Sequence, residues 1–548
     1  MIPPLRLIPD EPPDFIPDDE PEPAQLNGHD HEPPEPPIRP VIQAKAGRPD
    51  LLATLAENAI MDSGLPIFQR GRELVRPAQF DVPASKGRMT VSAGMARLGE
   101  AAMRDIMAQS ADWLKWNAKA KALVTCDPPE LPAAILLSRA GQWRLPSLAG
   151  VITAPTLRPD GTRLTAPGYD VQTRLYHSVN PNLTPHPVPD EPTPQQAKES
   201  LNLLNNLLDE FPFTDQVGRS VALSGMMTPI LRGAIPVAPM HAIKASTAGT
   251  GKSYLVDLAS AITSGRCCPV ISVSDDAKET ESRINGLLLG GFPLISLDNV
   301  NGELGGDLLA QAITQPVVQV RRLGGSDIFE VESRATWFAT GNGLRVKGDM
   351  TRRTIVCNLD AGIERPEMRQ FQHSPLDEVL NNRGRYLAAV LTITRAYLSA
   401  GMPGRLPRPA SFEEWSDLVR SPLVWLGYAD PWASVETARK DDPDLASLRD
   451  ILTCWAEAIG TNTNKPIREV IKIASSKDLS YDGEPADFKW PDLRASLISA
   501  AGFKGNIDPK ALGKYLLDKE GRVANGLRIK RGPQDTHAKV GTWFVEPV

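Results

Sequence analysis

The chain has 548 residues and a mass of 59.5 kDa, enough for two to four domains of about 100–200 residues each. Hydrophobic residues make up 41% and charged residues 23%, so most of the chain can bury a core, and no apolar run approaches the roughly 18 residues that a membrane span needs. The five cysteines form no C-x-x-C pair and the N-terminus has no basic-then-apolar secretion signal, so we expect a cytoplasmic protein without disulfides, zinc ribbon or membrane contact.

The first 40 residues are acidic and rich in proline. They hold ten acidic residues, two arginines and thirteen prolines, which is a local charge of −8. Because the whole chain carries −6, residues 41–548 carry +2, and nucleic acid is not excluded as a partner. So few apolar groups cannot offset the entropy lost on ordering, and residues 1–48 are therefore predicted to be a disordered tail.

Residues 49–192 are predicted to form an α+β N-terminal domain. A helical stretch precedes Gly64, residues 67–80 alternate between apolar and polar as a strand does, and residues 93–116 are predicted as a helix. A D-G pair between two short extended runs predicts a hairpin over 155–164.

A proline-rich linker over 181–194 leads into a domain predicted over 193–402. Helices are expected over 195–210 and 215–232, and beyond them apolar runs alternate with helical stretches, the pattern of a three-layer α/β domain. The five predicted strands are residues 241–245, 270–273, 293–297, 335–340 and 354–359. The remaining chain is predicted as a helical linker region over 403–484 and a compact unit over 485–548.

The strongest motif is the run Ser246-Thr247-Ala248-Gly249-Thr250-Gly251-Lys252-Ser253, which follows a predicted strand and opens a predicted helix at Tyr254. This is the context of a P-loop, with Ser246 at the place of the usual first glycine. Glycines let backbone N–H groups turn toward a phosphate, and the helix N-terminus favours its negative charge. Residues 246–254 are therefore predicted to bind ATP, with Lys252 on the β- and γ-phosphates and Ser253 on Mg²⁺.

A second signal is the apolar run over 292–297 that ends in Asp298 and Asn299. At the end of a strand, Asp298 can hold Mg²⁺ through water. The next position often carries the acid that activates the attacking water, but here it is Asn299, which leaves the identity of the base open. Glu279 and Glu281 are the nearest acidic candidates, and the competing interpretation places both on a solvated helix face.

Two further signals follow in the order expected of a nucleotide-hydrolysing domain. Asn342 comes at the end of a predicted strand, where an amide can orient water at the γ-phosphate, although N-G is also a common turn pair. Arg352 and Arg353 stand just before the last strand. Either arginine could reach a neighbouring subunit's γ-phosphate as an arginine finger, and the sequence does not choose between them.

This ordered set resembles the superfamily 3 and AAA+ type replicative helicase ATPases of phages, plasmids and integrated mobile elements. The segment over 155–170, the helix before the P-loop and the C-terminus are similar to the helicase part of poxvirus- and phage-type primase-helicases. The resemblance implies a P-loop NTPase core of AAA+ type, a hexameric ring, hydrolysis of ATP between subunits and translocation along single-stranded or forked DNA. Because residues 1–240 show no primase motif, we expect a stand-alone protein that works with a separate primase.

The resemblance also implies a β-hairpin before the Asn342 strand that reaches into the central pore. Extended runs over 317–323 and 328–332 flank a G-G-S-D turn at the expected place. Arg321 and Arg322 lie on this hairpin and could contact DNA phosphates, where charge rather than base identity sets affinity. The competing interpretation is an ordinary surface hairpin with a charged, solvated face.

The C-terminal unit over 485–548 is predicted as a winged helix, because two helices precede two extended runs. From residue 501 onward it carries nine Lys/Arg and five acidic residues. A basic wing suits phosphate contacts that flank a helix in a DNA groove, and protein interaction is the alternative. The predicted DNA contacts are Lys510, Lys514, Arg528, Lys530 and Arg531.

Three functions therefore compete. The first is an ATP-dependent DNA helicase or translocase in the replication of a phage, plasmid or mobile element. The second is an AAA+ loader that remodels another replication protein, and the third is a DNA-binding initiator whose assembly is controlled by nucleotide. The predicted pore hairpin favours the first, whereas Asn299 keeps the third open.

Overall fold

The structure is a computed structural model that describes residues 39–85, 87–272, 276–321, 327–477, 487–534 and 540–548. Residues 1–38 of the tail predicted over 1–48 lie outside the described residues, and so does Arg322. The prediction of disorder is wrong for Val41–Gln43, which form a strand because they pair in parallel with residues 112–114. Within the described ranges, no helix combines the length and the apolar character that a bilayer crossing requires.

The N-terminal unit packs three helices against small sheets. Ile60, Met103 and Leu136, one from each helix, are fully buried in its core. The elements are β1 (Val41–Gln43), α1 (Pro49–Asp62), β2 (Phe68–Arg70), β3 (Glu73–Pro83), β4 (Met89–Arg97), α2 (Glu100–Ser110), β5 (Asp112–Asn117), β6 (Ala122–Thr125), α3 (Glu130–Ser138), β7 (Gly150–Ile152), β8 (Thr156–Leu157), β9 (Arg163–Leu164), β10 (Gly168–Asp170) and β11 (Leu175–His177). The strands pair in the orders β1-β5-β6, β2-β3-β4, β10-β11-β7 and β8-β9.

The helix predicted over 93–116 is wrong. Only α2 is helical there, and it is flanked by β4 and β5. All nine residues of β4 pair antiparallel with β3, so tertiary pairing overrides the local helical pattern. In β5, Trp113 is buried and Trp116 is exposed. The antiparallel pair β8–β9 confirms the hairpin predicted over 155–164.

The central unit is a five-stranded, wholly parallel sheet covered by helices. The five predicted strands are all present and pair in parallel. Four of them carry apolar runs that are buried, as parallel strands require, whereas Val270 on the edge strand is exposed. The elements are α4 (Pro194–Asn206), α5 (Gln216–Met227), β12 (Met240–Ala245), α6 (Lys252–Ser264), β13 (Val270–Ser272), α7 (Ala277–Gly290), β14 (Leu294–Asp298), β15 (Glu303–Leu304), α8 (Asp307–Thr314), β16 (Val317–Arg321), β17 (Ile328–Glu332), β18 (Thr336–Asn342), β19 (Arg345–Val346), β20 (Thr354–Leu359), α9 (Pro375–Asn381) and α10 (Arg383–Ser399).

The strand order of this sheet is β13-β14-β18-β12-β20. Strand β18 therefore lies between β12, which precedes the phosphate loop, and β14, which ends in Asp298. Since all five strands are parallel, their carboxyl ends meet at one edge, where ligands bind in open α/β sheets. This edge brings together residues from three separate parts of the sequence.

The C-terminal unit has a core of its own. Its elements are α14 (Pro443–Ala458), β21 (Lys465–Pro466), α15 (Ile467–Ala474), α16 (Pro491–Ala501), β22 (Gly502–Phe503), β23 (Asn506–Ile507), α17 (Pro509–Asp518), β24 (Val523–Ala524), β25 (Leu527–Gly532) and β26 (Thr542–Pro547), preceded by α11 (Glu413–Trp415), α12 (Ser421–Trp425) and α13 (Ser434–Lys440). Trp455 of α14 is buried with Leu497 and Leu516. Helices α14 and α15 thus share a core with the segment predicted as a winged helix, and the boundary at 484/485 stays a prediction.

A buried arginine joins the N-terminal unit to the central unit. Arg70, at the end of β2, donates to Leu148 O (3.2 Å) and Ala149 O (2.8 Å) on its own side. It also donates to Leu288 O (2.7 Å) at the end of α7 and to Glu332 O (3.1 Å) at the end of β17. Burial lowers the pKa of Arg70 to about 10, so it stays charged at neutral pH. The base of the β16–β17 hairpin is therefore fixed to the N-terminal unit.

Strand β12 carries a buried histidine that makes the central unit sensitive to acid. The His241 ring stacks on Phe338 at 5.1 Å, and its Nε2 lies 3.0 Å from Ser224 Oγ. Burial lowers the pKa of His241 to about 3 from its ordinary 6.5. Between these values the unfolded chain binds a proton that the folded chain does not, so stability falls as the pH falls through this window.

We expect this histidine to cost about 1.4 kcal/mol of unfolding free energy between pH 7.5 and pH 5.5. His241→Gln removes the titration and keeps a partner for Ser224, so the variant should lose about 1.4 kcal/mol less than the wild type over this interval. Urea unfolding at the two pH values measures the difference. Equal losses in both proteins would show that His241 is not buried in its neutral form.

Candidate nucleotide-binding site

The phosphate loop follows β12 and ends where α6 begins. Gly249 (φ +74°) and Gly251 (φ +97°) have left-handed backbone conformations. A Cβ atom would lie 2.9 Å from the Glu367 backbone nitrogen at the first position and 3.0 Å from the Phe211 ring at the second. Both positions therefore require glycine. The first turn of α6 presents free N–H groups toward the loop, which is the arrangement that binds phosphate.

Lys252 holds its ammonium group against the phosphate loop. Its Nζ donates to Thr247 O at 3.1 Å and to Thr250 Oγ1 at 3.4 Å. Burial lowers the pKa of Lys252, and the nearby Asp298 carboxylate opposes that shift. A cation in this position, backed by loop N–H groups, is placed to meet the charged oxygens of a nucleotide.

Asp298 is the point where three elements meet. Its Oδ1 accepts hydrogen bonds from Ser253 Oγ of α6 (3.1 Å) and from Thr340 Oγ1 of β18. Asn299, whose backbone is left-handed, donates its N–H to Thr340 Oγ1 at 3.4 Å. The oxygens of Ser253 and Asp298 are ligands that suit Mg²⁺. No cluster of three or more His, Cys, Asp or Glu side chains that could hold a metal exists in the described ranges, so such an ion would depend on these two residues and on phosphate.

Thr340 is a site residue that the sequence analysis missed. It stands two positions before Asn342 on β18, and residues two apart in a strand point to the same face. This two-residue spacing from Asn342 is the sequence feature from which Thr340 could have been predicted. Asn342 itself pairs in register with Ala245, the residue before the phosphate loop. Its Oδ1 is buried and finds no hydrogen-bond partner among the residues that the structure describes.

The acidic candidates on α7 lie on an exposed face. Glu279 pairs with Arg283 at 2.5 Å, one helical turn away, and Glu281 is also exposed. This arrangement favours the interpretation of a solvated helix face for both. The structure brings Lys252, Ser253 and Asp298 together, but it adds no acid at position 299, so the identity of the general base stays open.

The two arginines before β20 lie at the other end of the sheet. They belong to the turn Gly348–Arg352 and the residue after it, and Met240 pairs with Thr354 at the amino ends of β12 and β20. A six-residue strand spans about 20 Å, so neither arginine reaches the phosphate loop of its own chain. Both pair with Asp349, but the side chain of Arg352 is 52% exposed and that of Arg353 only 14%. Arg352 is the one presented to solvent.

An aromatic cleft of about 540 Å³ adjoins the phosphate loop, and the sequence analysis did not find it. Phe211 lies 5.9 Å from the ring of Tyr254, and the Arg369 guanidinium lies 5.1 Å from the Phe371 ring. Glu210 fixes the opposite wall by accepting from the backbone N–H groups of residues 372 and 373. These backbone donors lower the pKa of Glu210. The volume falls within the range of small-molecule sites.

The residues predicted to contact DNA lie in two regions. Strands β16 and β17 form the predicted antiparallel hairpin, with Arg321 exposed at its outer end. In the C-terminal unit, Lys510 and Lys514 are exposed on α17. Arg528 and Lys530 both pair with Glu546, at 2.5 and 2.8 Å.

Arg531 lies on the other face of β25 from Arg528 and Lys530, because side chains alternate along a strand. It lies 3.7 Å from Glu520 and is positioned over the Trp543 ring. Arg531 lines a cleft together with Lys510 and with Arg468, which the sequence analysis missed. The predicted DNA contacts of the C-terminal unit therefore fall into two groups. Arg528 and Lys530 are paired with Glu546, whereas Lys510 and Lys514 of α17 and the nearby Arg531 are exposed.

No protein-family model matches the chain, and no curated protein matches it. Solved structures do match. The apo C-terminal region of NrS-1 is 14% identical and aligns over 85% of this chain and 91% of its own, with a TM-score of 0.33. JCV helicase, solved with a bound small molecule, is 12% identical and aligns over 44% of this chain and 73% of its own, with a TM-score of 0.18.

If this site hydrolyses ATP, Thr340→Val should slow the reaction by about tenfold or more, because a hydrogen bond to a charged group contributes about 1.5–3 kcal/mol. The hydroxyl holds Asp298 in position, so the Mg²⁺ concentration needed for half-maximal rate should also rise. Steady-state hydrolysis across a Mg²⁺ titration measures both effects.

Thr336→Val is the matched control on the same strand. The Thr336 hydroxyl is buried and has no hydrogen-bond partner among the described residues, so its removal should leave the rate unchanged. Similar losses in the two variants would mean that the Thr340–Asp298 contact does not matter for the reaction.

Proposed function

We propose that this protein is an ATP-dependent DNA helicase or translocase that acts in the replication of a phage, plasmid or integrated mobile element. One observation carries the proposal. Lys252, Ser253 and Asp298 meet at the carboxyl edge of the sheet, while Arg352 is exposed at its amino edge. A site divided in this way is completed only by a second copy of the chain.

In this proposal, the loop N–H groups and Lys252 bind the β- and γ-phosphates of ATP. Mg²⁺ would be held by Ser253 and, through water, by Asp298, and it would neutralise charge that develops on the phosphates. Asn342 orients the attacking water, for which its buried and unpartnered Oδ1 is available among the described groups. The aromatic cleft beside the loop suits a purine, because Phe211 and Phe371 offer flat apolar surfaces.

Arg352 then acts as the arginine finger toward the next subunit of a hexameric ring. Arg353 is largely buried and its backbone carbonyl accepts from Met240 N at 2.9 Å, so it is better placed to hold the turn than to leave it. An exposed arginine that approaches a γ-phosphate stabilises charge in the transition state of phosphoryl transfer. Assembly and hydrolysis are coupled in this arrangement.

DNA contacts in this proposal come from two places. The β16–β17 hairpin presents Arg321 to single-stranded DNA in the ring. Arg322, which lies outside the described residues, is the second predicted contact of this segment. The C-terminal unit acts as a winged helix in which α17 takes the position of the recognition helix and presents Lys510 and Lys514. A separate primase would supply the primers that such a helicase does not make.

Lys252→Ala should abolish ATP hydrolysis and the separation of a forked DNA duplex, because the phosphates lose their main cation. Lys278→Ala, on the exposed first turn of α7, is the matched control and should keep both activities. Phosphate release and strand displacement are measured on the same preparations. Wild-type hydrolysis without strand displacement would favour a loader over a helicase, and full activity of Lys252→Ala would reject the ATP site.

Arg352→Ala should retain ATP binding but lose about a thousandfold or more in hydrolysis. If the site is shared, mixing this variant with Lys252→Ala should restore about a quarter of the wild-type rate, because about one interface in four then combines an intact lysine with an intact arginine. Arg345→Ala, an exposed arginine of β19, should behave like the wild type. A mixture as inactive as its components would contradict the shared site.

A further inference from the structure

The β5–β6 hairpin is a surface feature that the proposed function does not use. Its residues pair antiparallel, with Trp116 opposite Leu123. These two side chains are 60% and 43% exposed and share the solvent face of the sheet, whereas Trp113 points to the core on the opposite face. An indole this exposed on a regular strand contributes little to the fold. We call residues 112–125 the Trp116 hairpin.

The Trp116 hairpin is basic. Residues 112–125 hold three lysines, Lys115, Lys119 and Lys121, and one acidic residue, Asp112 at the start of β5, which gives a net charge of +2. All three are exposed, and none makes an ion pair with any residue in the described ranges. Lys119 and Lys121 lie at the tip of the hairpin, a few residues from Trp116, whereas Lys115 lies on the other face of β5 from Trp116.

The tip of the Trp116 hairpin is ordered by its own side chains. Asn117 Oδ1 accepts hydrogen bonds from the backbone N–H groups of Lys119 (2.9 Å) and Ala120 (3.1 Å). Lys121 has a left-handed backbone with φ +51°, a conformation that favours glycine or asparagine. The lysines thus project from a fixed turn, and less conformational entropy is lost when they bind a ligand.

An exposed aromatic ring among lysines fits single-stranded nucleic acid. Bases stack on aromatic side chains while cations follow the phosphates, and neither contact depends on sequence. A protein partner fits less well, because lysine is depleted in protein interfaces. The net charge of +2, with Asp112 at the opposite end of the hairpin from Lys119 and Lys121, favours nucleic acid over a protein partner.

We propose that the Trp116 hairpin is a binding surface for single-stranded DNA, separate from the β16–β17 hairpin and from the C-terminal unit. Trp116 stacks on a base, and Lys119 and Lys121 contact the adjoining phosphates. The choice of DNA over RNA rests on the proposed function.

The test measures binding of the full chain to a labelled oligo(dT) of about 20 nucleotides by fluorescence anisotropy, without nucleotide. Trp116→Ala should weaken binding about tenfold, the usual effect of removing one stacked base. Lys121→Gly should weaken binding several-fold and reduce the slope of log affinity against log salt by about 0.7, the value for one phosphate contact on a single strand.

The variants are chosen so that misfolding does not explain a loss. Trp116 is exposed, and Lys121→Gly relieves a left-handed backbone, so its melting temperature should not fall. Leu131→Ala, at an exposed apolar position of α3, and Lys198→Ala, at an exposed position of α4, are the matched controls and should bind like the wild type.

Two results would overturn the proposal. One is unchanged oligo(dT) affinity in both Trp116→Ala and Lys121→Gly. The other is a change in oligomeric state with unchanged DNA affinity, which would identify an interface between protein chains. ATP hydrolysis without DNA, measured in parallel, should be equal in wild type and variants. Its absence from the wild type would reject the proposed function and leave the binding result standing.

Discussion

The hydrogen bonds to Asp298 Oδ1 are the contact on which the rest of the site depends. Ser253 donates to this oxygen from α6, the helix after the phosphate loop. Thr340 donates to it from β18, the strand between β12 and β14. The contact is possible only because β18 lies between β12 and β14 in a parallel sheet. One more strand between β12 and β14 would move the carboxylate about 5 Å farther from the loop, whereas β14 directly beside β12 would leave no place for Thr340 between them.

The same sheet also separates the phosphate loop from the turn that carries Arg352. Its carboxyl edge holds the phosphate loop, and its amino edge holds the turn with Arg352. That turn is tied to the C-terminal unit, because Gly348 N donates to Asp442 Oδ2 at 3.2 Å. Asp444, in the next turn of chain, pairs with Lys347 on one side and with the buried Lys519 at the end of α17 on the other. These contacts connect α17, through Asp444 and Lys347, to the turn that carries Arg352.

The sequence predicted what is local and missed what depends on distant contacts. The five core strands and the phosphate loop follow from apolar runs and glycines that are adjacent in the chain. The helix expected over 93–116 failed because β4 is stabilised by pairing with β3, which no local pattern reveals. The aromatic cleft was missed for the same reason, since Phe211 and Phe371 are brought together only by the fold. Thr340 could have been predicted from the sequence, because it lies two residues before Asn342 on the same strand and therefore on the same face.

A buried arginine connects the N-terminal unit to the central unit. Arg70 donates to carbonyls on both sides of this junction. Arg232, beside the end of β17, donates instead to Ile235 O and Arg334 O within the central unit, and burial lowers its pKa to about 9. Removing such a guanidinium would leave several buried carbonyls unpaired, so the junction is costly to open. The N-terminal unit, with the Trp116 hairpin on its surface, is thus fixed to the base of the β16–β17 hairpin. The base of that hairpin and the N-terminal unit are therefore joined by several buried hydrogen bonds rather than by a flexible linker.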